Sequence, residues 1–306
     1  MEREVLLLKK FLRALPTIVF SLILASCNYG LPMFLFTETG VEDRATKALP
    51  LFGPNLPQVG YRGKYSFIVL TDSHFGDSKH ERRDQNFLLV FTTLLQTADP
   101  ALRPSFIVNL GDSMDGGHES EADSFNATAA VWIETAKKEL GVSDYKVYSI
   151  LGNHDLYNSG WEVWRRKIYP YTSYYTFTLN AGGPYNFDFW FLDTGNGTLG
   201  ANQIEDLENN LKKSARPKIV FMHYPVYAGG IFYFALDDVQ ERSILISDFA
   251  ANNVKYVFEG HKHSIHSYDY KSFKEEVVGA YLENKVFGLV TVDESTGSVS
   301  FARMGY

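Results

Sequence analysis

Residues 65–74 read Tyr-Ser-Phe-Ile-Val-Leu-Thr-Asp-Ser-His, an apolar stretch that runs directly into an aspartate and a histidine. The stretch from 65 to 70 is typical of a strand covered on both faces, because polar and apolar residues do not alternate regularly along it. Asp72 and His74 stand just beyond the predicted strand. Ligands of open α/β sheets bind beyond the carboxyl ends of strands, so this stretch predicts a strand that ends at a ligand site.

The same arrangement recurs four times further along the chain. Buried strands are predicted over residues 105–110, 146–151, 218–222 and 254–258. The segments that follow these strands are Gly111-Asp112, Gly152-Asn153-His154-Asp155, His223 and Gly260-His261-Lys262-His263. Histidine and aspartate together suit transition-metal ions, whereas calcium and magnesium sites are built mainly from oxygen donors. The five segments therefore predict one metal site, with manganese, iron or zinc favoured.

The segments between these motifs predict the remaining elements. Apolar spacing of the helical type predicts helices over 82–97, 123–140 and 238–250, and a further helix with Asn202 as its N-cap and Glu205 three residues later. Alternating aromatic residues predict a hairpin between 174 and 192. Strands predicted over 268–270, 276–278, 286–292 and 298–302 suggest a second, antiparallel sheet. The pattern is that of an α/β protein.

Composition limits the possible functions. The chain has 306 residues, of which 45% are hydrophobic, enough for a substantial core. Five strands that lead to one site favour a single catalytic domain, over residues 61–306. The formal charge of −7 gives no basic surface for a phosphate backbone, so polymeric nucleic acid is not expected as a partner. The oligomeric state is not determined by these features.

The N-terminal 26 residues form a separate segment. A basic region with Lys9, Lys10 and Arg13 precedes an apolar stretch over 14–24, which is short for a membrane span and predicts an export signal. Leu24-Ala25-Ser26-Cys27 resembles a bacterial lipoprotein box, in which lipid is attached to the cysteine. The alternatives are an ordinary cleaved signal or an uncleaved anchor. We expect an exported protein, anchored to the membrane at the cell surface or in the periplasm, with Cys27 as the lipidation site.

Residues 27–60 have the composition of a linker. They contain Pro32, Pro50, Pro54 and Pro57 with scattered glycines, and no sustained helical or strand period. We therefore predict that this segment holds the catalytic domain away from a surface.

Taken in order, the five metal-ligand motifs resemble those of the calcineurin-like metallophosphoesterases, over residues 65–266. The resemblance implies a four-layer α/β sandwich, in which two mixed β-sheets are flanked by α-helices. It also implies two divalent ions. Asp72, His74 and His263 would bind one ion; Asn153, His223 and His261 would bind the other, and Asp112 would bridge them.

The resemblance implies roles for the remaining motif residues as well. His154 would support the leaving-group oxygen as a general acid. Asp155 follows His154 directly and could hold its ring. Asp115 stands where the purple acid phosphatases have a metal-binding tyrosine, so the chain departs from that branch of the superfamily. The nucleophile would be a hydroxide that bridges the two metals.

These residues predict a surface-anchored phosphatase or phosphodiesterase that hydrolyses a small phosphoester. The motifs also resemble those of cyclic-nucleotide phosphodiesterases, although export favours an extracytoplasmic nucleotide, lipid head group or sugar phosphate. One alternative is a noncatalytic, lipid-anchored protein that binds phosphate at a retained metal site. A redox di-iron protein is a weaker alternative, because Asn153 is an unusual ligand for it and no helical Glu-x-x-His pattern is present.

Overall fold

Two β-sheets lie at the centre of the described part of the chain. The structure is a computed structural model that describes residues 40–60, 62–77 and 81–306, without the side chains of residues 81–83. The predicted signal over 1–26, the lipidation site Cys27 and the predicted linker up to residue 39 lie outside the described residues. The division of the chain into signal, linker and catalytic domain stays a prediction.

Twelve strands and seven α-helices are present in this part of the chain. The strands are β1 (Leu49–Pro50), β2 (Lys64–Leu70), β3 (Pro104–Asn109), β4 (Val147–Ser149), β5 (Tyr175–Leu179), β6 (Phe187–Phe191), β7 (Lys218–Phe221), β8 (Val254–Glu259), β9 (His266–Asp269), β10 (Lys274–Val277), β11 (Val286–Asp293) and β12 (Ser298–Gly305). The helices are α1 (Val41–Arg44), α2 (Glu81–Leu95), α3 (Glu119–Leu140), α4 (Gly160–Lys167), α5 (Gly200–Leu211), α6 (Val239–Ala251) and α7 (Tyr281–Asn284). All five strands predicted before the metal-ligand motifs are present.

The strands pair into a five-stranded sheet, in the order β12-β11-β2-β3-β4, and a seven-stranded sheet, in the order β1-β5-β6-β7-β8-β10-β9. The neighbours β2, β3 and β4 are parallel, as are β6, β7, β8 and β10. The predicted hairpin is confirmed as the antiparallel pair β5 and β6. The five motif-bearing strands are therefore divided between two sheets.

The four C-terminal strands do not form one antiparallel sheet, so that prediction is wrong. Strands β9 and β10 join the seven-stranded sheet, where β10 is parallel to β8, whereas β11 and β12 complete the five-stranded sheet. Alternating residues indicate that a segment is a strand but do not specify its partner, because pairing depends on contacts distant in sequence.

The side chains between the sheets are mainly aromatic. Phe67 and Phe106 of the five-stranded sheet stack with their ring centroids 4.6 Å apart, and Phe67 meets Phe189 and Phe221 of the other sheet edge to face. Helices α2, α3 and α4 cover the outer face of the five-stranded sheet, and α5 and α6 cover that of the seven-stranded sheet. The predicted four-layer α/β sandwich is confirmed.

The helix predicted to begin at Asn202 is present as α5, but the predicted cap is wrong. The helix begins at Gly200, and the carboxylate of Glu42 accepts hydrogen bonds from the backbone N–H groups of Ala201 and Asn202. Unpaired N–H groups in a first turn can be satisfied by any nearby acceptor, and here the acceptor comes from the distant helix α1.

The described part of the predicted linker, residues 40–60, packs against the seven-stranded sheet instead of extending from it. Strand β1 pairs with β5, and Leu51 lies in the core between the sheets. Arg44 forms a buried bidentate ion pair with Asp193, at 2.9 and 3.0 Å. Proline and the lack of a period exclude long regular elements, but they do not exclude packing of irregular chain.

Among residues 40–60, 62–77 and 81–306, no helix combines the length and the apolar character needed to cross a bilayer.

We expect the substitution Arg44→Met to lower the free energy of unfolding by about 3 kcal/mol, because it leaves the buried carboxylate of Asp193 without its cation. Urea unfolding of the variant and of the unchanged protein measures the difference. Arg62→Met is the matched control, since Arg62 is exposed and its one hydrogen bond, to the carbonyl of Gly182, is 3.4 Å long. Equal stability of the two variants would show that the ion pair between Arg44 and Asp193 contributes little to stability.

Candidate metal centre

The seven predicted metal ligands come together at the carboxyl ends of strands from both sheets. Strands β2, β3 and β4 lead to Asp72 and His74, Asp112, and Asn153, while β7 and β8 lead to His223 and to His261 and His263. Six of these side chains fall into two groups, and Asp112 belongs to both. Asn153 lies beside the second group. The structure therefore brings the seven predicted residues to one place.

The first group contains Asp72, His74, Asp112 and His263. The Nε2 atoms of His74 and His263 lie 3.1 Å apart, and Nε2 of His263 is 3.4 Å from Oδ1 of Asp72. Nε2 of His74 is 3.8 Å from Oδ2 of Asp112. Atoms bound about 2.0–2.2 Å from one ion lie about 2.8–3.6 Å from each other, so most of these separations suit a shared cation.

The second group contains Asp112, His223 and His261, with Asn153 beside them. Nε2 of His223 is 3.3 Å from Oδ2 of Asp112 and 3.2 Å from Oδ1 of Asn153. Nδ1 of His261 is 2.9 Å from the same Asn153 oxygen. The carbonyl of Leu110 lies 2.8 Å from Nδ1 of His223, a contact that directs the other ring nitrogen toward the site.

Glycine permits the close approach of the loops that carry the two groups. A Cβ atom at Gly152 would lie 2.2 Å from Oδ1 of Asp112 and 2.3 Å from its backbone nitrogen. Gly111 has a φ of 99°, and a Cβ there would lie 2.8 Å from Nδ1 of His223. The lack of a side chain at Gly111 and Gly152 therefore allows the loops to approach this closely.

Five of the predicted ligands themselves adopt left-handed backbone conformations. Their φ angles lie between 46° and 63°, in a region that residues with a side chain seldom occupy. They are Asp72, His74, Asp112, His261 and His263. Such backbone strain is concentrated at functional sites, and no sequence pattern indicated it.

The buried carboxylates attract positive charge to this place. Burial lowers the pKa of His223, but the neighbouring Asp112 carboxylate outweighs this effect and the pKa rises to about 9. The pKa of His263 likewise rises to about 9, because its contact with Asp72 outweighs burial. For His261, burial and the neighbouring His223 lower the pKa to about 4. The site thus favours cations near its carboxylates and keeps His261 neutral.

The carboxylate of Asp72 is one of several buried side chains of the described residues that have an oxygen without a hydrogen-bond partner. Asp72 is fully buried, and its Oδ2 atom accepts no hydrogen bond. A buried carboxylate oxygen without a partner carries a desolvation cost that a bound cation would offset. Together with the imidazole and carboxylate donors, this oxygen shows that the residues fit a transition-metal centre.

His154 lies at the edge of the two groups, as predicted, but Asp155 does not hold its ring. Asp155 is fully buried, and its two oxygens accept hydrogen bonds from the backbone N–H groups of Met114 and Gly152. Nδ1 of His154 instead lies 2.7 Å from the backbone carbonyl of Asp115. The predicted role of Asp155 is wrong: the carboxylate ties two site loops together, because backbone N–H groups already occupy both of its oxygens.

Three residues contact the site histidines in ways that the sequence did not predict. Oδ1 of Asp115 lies 3.2 Å from Nδ1 of His74, and Oε2 of Glu283 lies 3.2 Å from Nδ1 of His263. The ring of Tyr224 stacks on His261, with centroids 3.8 Å apart. The sequence singled out Asp115 only for the tyrosine that it replaces, and Glu283 is carried by the short helix α7, which no motif marks.

Comparisons with known proteins agree with this geometry. A curated relative from Fibrobacter succinogenes, described as a probable cyclic nucleotide phosphodiesterase, is 24% identical over 205 residues, which cover 64% of this chain and 71% of the relative. A dimetal phosphatase from Danio rerio has a similar fold, with a TM-score of 0.54 and 14% identity over 79% of this chain and 99% of that one.

GAP50, the anchor in the inner membrane complex of Plasmodium, also has a similar fold, with a TM-score of 0.55 and 14% identity over 80% of this chain and 89% of that one. The sequence model of the calcineurin-like phosphoesterases matches residues 65–264, which contain both ligand groups. The chain thus belongs to the calcineurin-like phosphoesterase family and is a metallophosphoesterase.

Proposed function

We propose that this protein hydrolyses phosphoesters at a dinuclear metal site, by direct attack of activated water on phosphorus. The observation that carries the proposal is the sharing of Asp112 between two groups of ligand-type side chains. A single buried carboxylate placed between two sets of imidazoles suits a bridge between two cations.

The assignment of ligands follows from the distances. We assign Asp72, His74 and His263 to one ion, Asn153, His223 and His261 to the other, and Asp112 to both. When bound, two divalent ions such as manganese, iron or zinc lower the pKa of a coordinated water and stabilise the oxygens of the phosphoryl group. The chain contributes only two carboxylates to these ions, which leaves positive charge to attract an anionic phosphoester.

His154 acts on the leaving group in this proposal. The carbonyl of Asp115 accepts a hydrogen bond from Nδ1 of His154, and the His154 backbone N–H donates to Asp112 at 2.8 Å. These contacts fix the ring beside the two groups while its side chain keeps 17% exposure. A proton on Nε2 would be available to the departing oxygen, as general acid catalysis requires.

A phosphodiester of a nucleotide is the substrate class that we favour. Support comes from the printed description of the Fibrobacter succinogenes relative as a probable cyclic nucleotide phosphodiesterase. Phosphomonoesters are the second class to test, since the ligand set does not discriminate between the two.

Turnover of model esters tests this proposal. Metal-depleted protein reloaded with Mn²⁺ should bind two ions per chain and hydrolyse bis(p-nitrophenyl) phosphate, p-nitrophenyl phosphate or both. Asp112→Asn should lose metal and activity together, because a neutral amide replaces the carboxylate shared by both groups. Asp188→Asn is the control, since Asp188 is also buried but pairs with Arg216 outside the site. Normal metal content without any turnover would favour the noncatalytic phosphate-binding protein.

We expect His154→Ala to retain the metal ions and to lower kcat by about 10²- to 10⁴-fold for esters with a poorly acidic alcohol. The loss should be much smaller for p-nitrophenyl esters, because nitrophenolate departs without a proton. Metal analysis and steady-state kinetics with both kinds of ester check the prediction. An equal loss for the two leaving groups would remove His154 from proton transfer.

Export and lipid attachment form a separate part of the proposal. The basic and apolar N-terminal residues and the sequence Leu24-Ala25-Ser26-Cys27 support an anchor at the membrane surface. In a bacterial host, Cys27→Ala should move the protein from the membrane fraction to the soluble fraction, as shown by immunoblotting. Unchanged membrane association of the variant would contradict lipidation at Cys27.

A further inference from the structure

The loop after His223 places large apolar side chains in solvent beside the metal centre. Ile231, Phe232 and Tyr233 are 52%, 53% and 86% exposed. Three consecutive exposed residues of this size are uncommon on a soluble protein unless they contact a ligand or partner. We call Tyr224, Phe232, Tyr233 and Phe234 the aromatic edge.

Two residues of the aromatic edge contact the predicted metal ligand His261, and a third lies further out. The Tyr224 ring stacks on His261 at 3.8 Å, and the Phe234 ring lies 6.2 Å from the same imidazole. The Tyr233 ring lies 5.1 Å from that of Phe234. Ring contacts thus connect the metal centre to the exposed face of Tyr233.

The base of this loop is held firmly, so the exposure of its tip does not come from a lack of anchoring. Two fully buried carboxylates accept its backbone N–H groups: Glu259 from Val226 at 3.1 Å, and Glu275 from Tyr227 and Ala228 at 3.2 Å each. The returning end is fixed as well, because the N–H of Leu236 donates to the carbonyl of Pro225.

Charge differs between the two ligand groups. Asp115 and Glu283, which contact His74 and His263, have side chains that are 49% and 56% exposed, and both are acidic. Their negative charges disfavour any further anionic group of the substrate, besides its phosphate, near His74 and His263. Near His261, Tyr224 and Phe234 instead offer aromatic rings. Further along the aromatic edge, the guanidinium of Arg242 lies 4.9 Å from the centre of the Phe232 ring.

From these contacts we infer that the aromatic edge binds the leaving group of the substrate, and that it selects phosphoesters whose leaving group carries a planar aromatic ring. The inference rests on the proposed phosphoesterase function and specifies its substrate class. A ring attached to a phosphate at the metal centre can stack on Tyr233 or Phe232, because paired aromatic rings attract each other beyond the effect of the area that they bury.

Ligand binding tests the inference without relying on turnover. The Mn²⁺-loaded protein is titrated calorimetrically with phenylphosphonate, with the 5′-phosphonate analogue of adenosine monophosphate, and with methylphosphonate. We expect Tyr233→Ala and Phe232→Ala to weaken binding of either ring-bearing ligand about fivefold, as lost stacking predicts, and to leave methylphosphonate unchanged. Tyr233→Phe should keep most of the affinity, since the ring remains.

The matched control is Tyr185→Ala. Tyr185 is 48% exposed, precedes β6 and donates its backbone N–H to Glu294, at the opposite end of the strand from the site. Its replacement should change no affinity. A larger effect with the adenosine analogue than with phenylphosphonate identifies a nucleobase as the ring, and the reverse order identifies a simple aryl group.

Three results would overturn the inference. The first is an equal loss of affinity for methylphosphonate, and the second is no loss of affinity for any ligand. The third comes from a separate measurement of binding to phosphatidylglycerol vesicles: if Tyr233→Ala and Phe232→Ala weaken vesicle binding and leave phosphonate affinity unchanged, the loop binds a lipid surface. Failure of the proposed function would give a different result. A protein that binds phosphonates in a ring-dependent way but hydrolyses no phosphoester would contradict the proposed hydrolysis. The aromatic edge would still be a site that binds aromatic rings.

Discussion

The approach of Asp112 to the backbone of Gly152 is the constraint on which the site depends. The gap leaves no room for a Cβ atom at residue 152, and the amide nitrogens of Gly152 and His154 are held by Asp155 and Asp112. This contact joins the loops after β3 and β4, and it places Asp112 where His74 and His223 both reach it. Two sheets can therefore serve one site, because their loops meet at a single carboxylate.

Buried charge then determines what the site can hold. Asp72 and Asp112 are almost fully removed from water, and together they face four imidazoles from three different loops. Isolated carboxylates in such surroundings would be costly, so the arrangement requires positive charge, from protonated histidines or from cations. The raised pKa values of His223 and His263 and the partnerless oxygen of Asp72 are two consequences of the same imbalance.

Sequence reasoning succeeded where a local pattern has a direct physical meaning. Apolar runs that end in ligand residues identified all five strands and the residues that meet in space, because burial on both faces leaves a continuous signal. It failed for properties fixed by distant contacts. The partners of β9 and β10, the capping of α5 by Glu42, and the packing of Arg44 on Asp193 depend on residues far away in sequence. Adjacency suggested that Asp155 supports His154, yet Asp155 accepts the N–H of Met114 while the His154 ring contacts the carbonyl of Asp115.

The same division explains why the metal chemistry is easier to infer than the substrate. Ligand residues must converge within a few ångströms, so residue type and order restrict them strongly. A leaving group is recognised by exposed side chains that need only be apolar, flat or charged, and many sequences satisfy that requirement. In this protein the position of the exposed side chains is restricted by the backbone. Buried Glu259 and Glu275 hold the base of the loop that carries Phe232 and Tyr233. The buried carboxylates of Glu259 and Glu275 thus limit where the rings of the aromatic edge can lie relative to His261. In the inferred binding of the leaving group, substrate specificity therefore depends on buried residues as well as on the exposed loop.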